Sequence, residues 1–295
     1  MSKSYVIKVS DGKTKATIFP ERGGWVSSLR LPLASGTREV LFQHDYAEKP
    51  EIKDLLGGIP FLFPICGRLS RNSAADGSVY LYDGKLYSMR IHGFSWFEAW
   101  TVGNVTQDSI EMKLRANERS AAIYPFQFEV CLKYEVQPGK LLCYQKYSNC
   151  ETVKRMPYYA GFHPYFLIPG DKSKTTVQFE STRRLKYNDT LTDIIGEQPI
   201  IQTPISITDP SINEQLSVLS DNKKVILKTN DDIITVNVVK NPAYFPYLQL
   251  YHILEKPFFC IEHWMGFPNA MNSVVGVRWL EPGESDEVVY EISNQ

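Results

Sequence analysis

Glu262 stands in the run Phe258-Phe259-Cys260-Ile261-Glu262-His263-Trp264-Met265, where its neighbours predict burial. A carboxyl taken out of water costs free energy unless it is paired or used. Read as a strand, residues 258–264 put Cys260, Glu262 and Trp264 on one face, because successive side chains alternate. A carboxylate beside an indole suits a sugar: the ring stacks on the apolar face of a pyranose while the carboxylate takes a hydroxyl proton. Burial raises a glutamate pKa toward the range of a general base, unless a cation opposes the shift. The plain alternative is a structural glutamate paired with an arginine or a tyrosine.

A second candidate is His163, set in Tyr159-Ala160-Gly161-Phe162-His163-Pro164-Tyr165-Phe166. An imidazole titrates near neutrality, so it can give a proton to a ring oxygen and recover it. Its alternative is a core histidine bonded to a backbone carbonyl. His92 in Arg90-Ile91-His92-Gly93-Phe94 precedes a turn, and Arg68 closes the Gly- and Pro-broken segment Leu56–Arg68. An arginine keeps its charge, so Arg68 serves to bind hydroxyls or polarise an oxygen. Turn capping and an ordinary surface position are the alternatives for these two. His44 and His263 carry little signal, and His252 reads as a core residue beside Leu248 and Leu250. Walker, GxGxxG, HExxH and GxSxG patterns do not occur, and the histidine spacing predicts no metal site.

Strands must position these groups. In Phe126–Val136 every second residue is apolar, and Ile110–Arg115 repeats the pattern. Weaker alternation runs through 224–228, 233–239 and 288–292. One face of each such segment is buried and the other wet. Asp83-Gly84 between Tyr-rich stretches predicts a hairpin, and Glu281-Pro282-Gly283-Glu284 predicts a type II turn. No amphipathic pattern reaches three helical turns. Strands recur from residue 5 to 292 without a linker, so the sequence predicts an all-β fold, one large antiparallel β-sandwich domain over 1–295.

Composition agrees with that reading. Aromatics make up 13%, with 18 Gly and 18 Pro, which favours short strands joined by turns. A net charge of -1 without a basic cluster argues against a nucleic-acid partner. The N-terminus lacks a signal-peptide core, and no apolar run is long enough to span a membrane. Five cysteines, an odd number without a CxxC pair, predict reduced thiols in a cytoplasmic protein. The oligomeric state is left open.

Five motifs in order, GGIPFLFPICGRL, IHGFSWFEAW, AGFHPYFLIP, FFCIEHWMGFPNAMN and LEPGES, resemble the aldose 1-epimerase (galactose mutarotase) family, in its divergent bacterial mutarotase-like branch. The resemblance covers roughly residues 15 to 292. It implies a galactose mutarotase-like β-supersandwich with an open cleft. It also implies an isomerase that interconverts the anomers of a free aldose. In that family's terms His163 protonates the ring oxygen and Glu262 takes the anomeric hydroxyl proton. His92 and Arg68 orient the sugar, and Trp264 lies beside it. The two catalytic groups are expected to face each other across a sugar-sized gap. Proton transfer suffices, so neither cofactor nor metal is expected, and the partner is a small sugar. The family's sugar-binding aspartate has no match in its expected motif; Asp189, Asp193 and Asp209 are the candidates. Two rivals remain. A hexose-6-phosphate mutarotase would draw a phosphate pocket from Arg68, Arg71 and Arg90. A non-catalytic carbohydrate-binding module would not need a converging Glu–His pair.

Overall fold

The computed structural model describes residues 2–45, 54, 57–69, 71–74, 77–230 and 232–294, except for the side chains of 71–74 and 77–78. Alternation becomes pleat where the sequence predicts it. Phe128–Gln137 alternates buried and half-buried residues along its whole length. It pairs antiparallel with Ser109–Arg115 on one side and Lys140–Asn149 on the other. Ser285–Ser293 continues the sheet and bonds next to Asp232–Lys240. Nine strands make up this sheet.

An eight-stranded sheet packs against it. Its path runs through Ser181–Tyr187, Gln215–Leu219, Tyr247–Tyr251 and Phe258–Trp264 to Gly161–Phe162 and, at the edge, Phe61–Leu62. Tyr165–Leu167 also pairs with Phe258–Trp264. The inner faces meet through aromatic rings: Phe162 stacks on Tyr290 at 4.7 Å and Phe61 on Tyr147 at 6.2 Å. Each such fully buried ring contributes about 1.5–3 kcal/mol relative to an exposed one. The fold is a β-sandwich, as the pattern predicts. Among the described residues, smaller sheets of four, three and two strands accompany the two large ones.

Turn chemistry follows the sequence. Asp83 and Gly84 both take positive φ, 49° and 73°, in the two-residue hairpin between Gly77–Tyr82 and Lys85–Met89. Gly283 has φ 78°, and the Glu284 N–H donates to the Glu281 carbonyl, which closes the Pro-Gly turn. Helix is confined, among the described residues, to Glu118–Ile123 and Ala270–Ser273 plus short 3-10 turns. Among the described residues no helix is long and apolar enough to cross a membrane. All five cysteines are free.

Candidate active site

Parity along one strand sets the site. In Phe258–Trp264, Phe259 and Ile261 enter the main core, and His263 lies against Tyr290 of the opposite sheet. Cys260, Glu262 and Trp264 therefore point to the outer face of the eight-stranded sheet. Glu262 sits opposite Gln249 in the pairing register, and Cys260 sits opposite both Tyr251 and Tyr165. His163 follows Phe162, whose ring takes the inner face against Tyr290, so the imidazole falls on the outer side. Gly161 lets these elements close up. A Cβ there would lie 2.6 Å from Cys66 Sγ and 2.8 Å from Trp264 Cδ1.

A cleft of about 350 Å³ opens over this face. Arg68, His92, His163, Glu262 and Trp264, the five residues singled out from sequence, all line it. His163 Nε2 lies 3.4 Å from Glu262 Oε1. The expected sugar-sized gap between the two is thus absent; they touch and face the cleft together. The reason is that Gly161–Phe162 and Tyr165–Leu167 both pair directly with the strand that carries Glu262.

His92 is held by a two-bond clasp. Its N–H donates to the Gly67 carbonyl, and the Gly67 N–H donates to His92 Nδ1 at 3.0 Å. Nδ1 is therefore the acceptor, and in the neutral ring Nε2 carries the proton. The same clasp puts Arg68 beside His92. His92 takes φ 65°, a strained value for a non-glycine residue. The next residue, Gly93, bridges Phe63, whose carbonyl oxygen would lie 2.2 Å from a Cβ at that position.

Electrostatics follow from burial. Glu262 is 1% exposed and His163 5%. Burial pushes the Glu262 carboxyl well above its ordinary range, the Glu214 charge pushes it further, and the Trp264 indole N–H opposes them. That N–H nonetheless makes no hydrogen bond of normal geometry. Burial lowers His163 to about 3, a backbone hydrogen bond opposes, and His44 adds to the lowering. His92 is held well below its ordinary value by burial first, then by His163 and Arg68. The shifts of Glu262 and His163 both favour the neutral forms, so the pair keeps a proton on Glu262 well above the range in which a free carboxyl ionises. His163 Nδ1, Glu262 Oε2 and Trp264 Nε1 are buried without a hydrogen-bond partner. Each such atom costs about 1–3 kcal/mol until a ligand satisfies it.

The fold adds residues that carry no motif. Glu214 lines the cleft at φ 49°, just before Gln215–Leu219. Burial raises its pKa, and Arg68 opposes. Gln249 Nε2 donates to Glu214 Oε2 at 3.1 Å, and the Tyr187 hydroxyl donates to Gln249 Oε1 at 2.9 Å. His44, Tyr165 and Tyr251 also line the cleft, so His44 has more to do with the site than its sequence context signals. None of the three candidate aspartates lines it. Asp189 is exposed, Asp209 caps a 3-10 turn, and Asp193 accepts from Asn269 Nδ2 and Thr192 Oγ1. His252 is buried against Phe259, outside the cleft, and His263 binds the Lys223 carbonyl. Of the arginines weighed for a phosphate, Arg90 lines the cleft, while the side chain of Arg71 lies outside the described residues. His163, Cys260 and Glu262 converge, with one ligating atom of each within 4.8 Å of the others. Sequence spacing hides this grouping.

Comparison with known proteins places the chain as a whole. The family model described as aldose 1-epimerase matches residues 5–293. Protein LacX of Lactococcus lactis subsp. lactis is 26% identical over 232 residues, 73% of this chain and 76% of LacX. The crystal structure of Slr1438 from Synechocystis sp. PCC 6803 is 26% identical at a TM-score of 0.83, covering 100% of this chain and 97% of that one. A galactose mutarotase related enzyme from Lactobacillus acidophilus, 24% identical, superposes at 0.81 over 99% of this chain and 97% of its own.

Proposed function

The chain belongs to the aldose 1-epimerase family, and we propose that it is an isomerase interconverting the α and β anomers of a free aldose. The observation that carries this reading is the buried 3.4 Å contact between His163 and Glu262 at the floor of a sugar-sized cleft. Anomerisation acts on two oxygens of one carbon: O1 must lose a proton while O5 gains one. An acid and a base side by side match that demand better than two groups on opposite walls.

Glu262, as carboxylate, takes the O1 proton, and His163, as imidazolium, gives its proton to O5. The C1–O5 bond breaks, the aldehyde forms, C1–C2 rotates, and closure on the other face returns both protons. Ring opening thus converts an ion pair into a neutral pair. Burial favours the neutral form of both groups, so the proton rests on Glu262 and must pass to His163 across their 3.4 Å contact before the ring opens; that transfer costs free energy, and ring opening recovers it by restoring the neutral pair. General acid and general base each contribute about 10²–10⁴-fold, and fixing both on one sugar adds a proximity gain. His92 offers its Nε2–H, Arg68 its guanidinium and Glu214 its carboxyl to sugar hydroxyls, with the pyranose against Trp264.

A substrate without phosphate is favoured over a hexose 6-phosphate because Glu214 and Asp54 share the cleft with Arg68 and Arg90. A phosphate dianion would meet these carboxyls. Anomer exchange measured by NMR on a panel of aldoses and their 6-phosphates tests the proposal. Turnover of 6-phosphates alone would reverse the substrate assignment, and sugar binding without exchange would leave a carbohydrate-binding protein.

A further inference from the structure

We propose that His163, Cys260 and Glu262 form a binding site for a thiophilic divalent cation of the zinc class, and that this cation and the sugar exclude one another. The binding rests on geometry alone; the mutual exclusion also rests on the proposed use of His163 and Glu262 as acid and base.

The ligand atoms of the three residues lie within 4.8 Å of one another, and all three side chains are buried. Four-coordinate zinc, with Zn–S about 2.3 Å and Zn–N or Zn–O about 2.0–2.2 Å, holds its ligand atoms roughly 3.3–3.8 Å apart. The His163 Nε2 to Glu262 Oε1 distance of 3.4 Å already meets this. Cys260 has only to close by ~1 Å, a side-chain adjustment on a strand whose backbone is fixed on both edges. Glu262 Oε2 is buried without a partner, so the carboxyl keeps an acceptor oxygen that no protein group uses. The cleft, which both His163 and Glu262 line, is the entry path and leaves a fourth position open to water.

The charge balance is closed. A thiol, a carboxylate and an imidazole that share one proton between the last two sum to zero. A divalent cation displaces that proton and the thiol proton, both released to solvent, and the site sums to zero again. Sulfur with imidazole selects zinc and its softer neighbours over magnesium, which demands oxygen ligands. Cys260 otherwise packs with Trp96, Tyr165 and Phe258, and the proposed ring opening makes no use of it.

The test uses the full chain after chelator treatment, titrated with zinc chloride and separately with magnesium chloride. Heat of binding and NMR anomer exchange are both read. Expected are one zinc per chain with Kd about 1 μM or tighter, loss of exchange in step with occupancy, and no response to magnesium. Cys260→Ser keeps exchange but weakens zinc binding by at least about 30-fold, and Cys260→Ala does the same if the serine variant misfolds. Cys150→Ser, at the exposed thiol, binds zinc as the parent does. Zinc binding unchanged in both Cys260 variants, or lost in Cys150→Ser, overturns the site. A protein that binds zinc as stated but shows no exchange in its metal-free form defeats the functional reading and leaves the metal site standing; exchange without zinc binding does the reverse.

Discussion

Replacing Glu262 with glutamine separates the chemistry from the electrostatics. The amide keeps the shape but cannot take the O1 proton, so the anomerisation rate falls by at least about 100-fold, or ~2.7 kcal/mol in the barrier. The stability of the folded chain changes in a way set by proton counts. In the unfolded chain the two groups hold two protons below about pH 4.5, one between about 4.5 and 6.5, and none above. In the folded chain burial pushes His163 down to about 3 and Glu262 well up, so the pair keeps one proton across that range. Stability follows the excess of protons on the unfolded side. The pair's contribution is therefore level from about pH 4.5 to 6.5. It falls by about 1.4 kcal/mol per unit below 4.5, as His163 resists protonation. It falls at the same slope above 6.5, as Glu262 resists ionisation, until Glu262 itself titrates. Glu262→Gln removes the glutamate's share, which acts from about pH 4.5 upward, so in the variant the contribution rises with His163 to about pH 6.5 and is level above it. Relative to the parent, the variant gains up to about 2 kcal/mol between pH 6.5 and 8. Both side chains are almost fully buried, so solvent screening does not reduce the figure. Urea unfolding of parent and variant at pH 6 and 8, beside NMR anomer exchange, measures both effects. A stability difference that does not change with pH, or a variant rate near that of the parent, would refute the reasoning.

His163→Asn removes the acid and lowers the exchange rate by at least about 100-fold while the chain still folds, as polarimetry and circular dichroism will record. The pH profile of kcat/KM carries no acid limb near 6.5, because the pair takes its second proton only as His163 titrates at about 3; a limb at 6–6.5 would place the working histidine in an ordinary environment. Glu214→Gln weakens sugar binding by about tenfold, the worth of a hydrogen bond to a charged group, with the larger change in KM. Gly161→Ala drives a Cβ to 2.6 Å from Cys66 Sγ and 2.8 Å from Trp264 Cδ1, costs about 1–3 kcal/mol in unfolding experiments, and slows exchange by displacing the indole.

Much of the architecture is local information. The alternation in Phe126–Val136 and the turn chemistry at Asp83-Gly84 and Pro282-Gly283 were enough to read strands, hairpins and an all-β sandwich, since the pleat and the left-handed turn positions depend on immediate neighbours. The misfit of a glutamate in an apolar strand and of a histidine in a Gly–aromatic–Pro frame likewise stands out in the sequence, because the cost of burying a polar group is set by its flanks.

What pairs with what is decided elsewhere. The 3.4 Å contact of His163 with Glu262 depends on two short strands docking on a partner about a hundred positions away, and a one-residue slip in that register would turn Glu262 into the core. Glu214 carries no motif: it reaches the cleft because its residue adopts φ 49° ahead of a strand, a conformation its side chain does not advertise. His44 and Cys260 look ordinary until the outer face of the eight-stranded sheet gathers them. Residue type and spacing determined which groups had chemistry to offer; long-range register and burial decided which of them meet, and how far each proton-binding group is driven from its value in water.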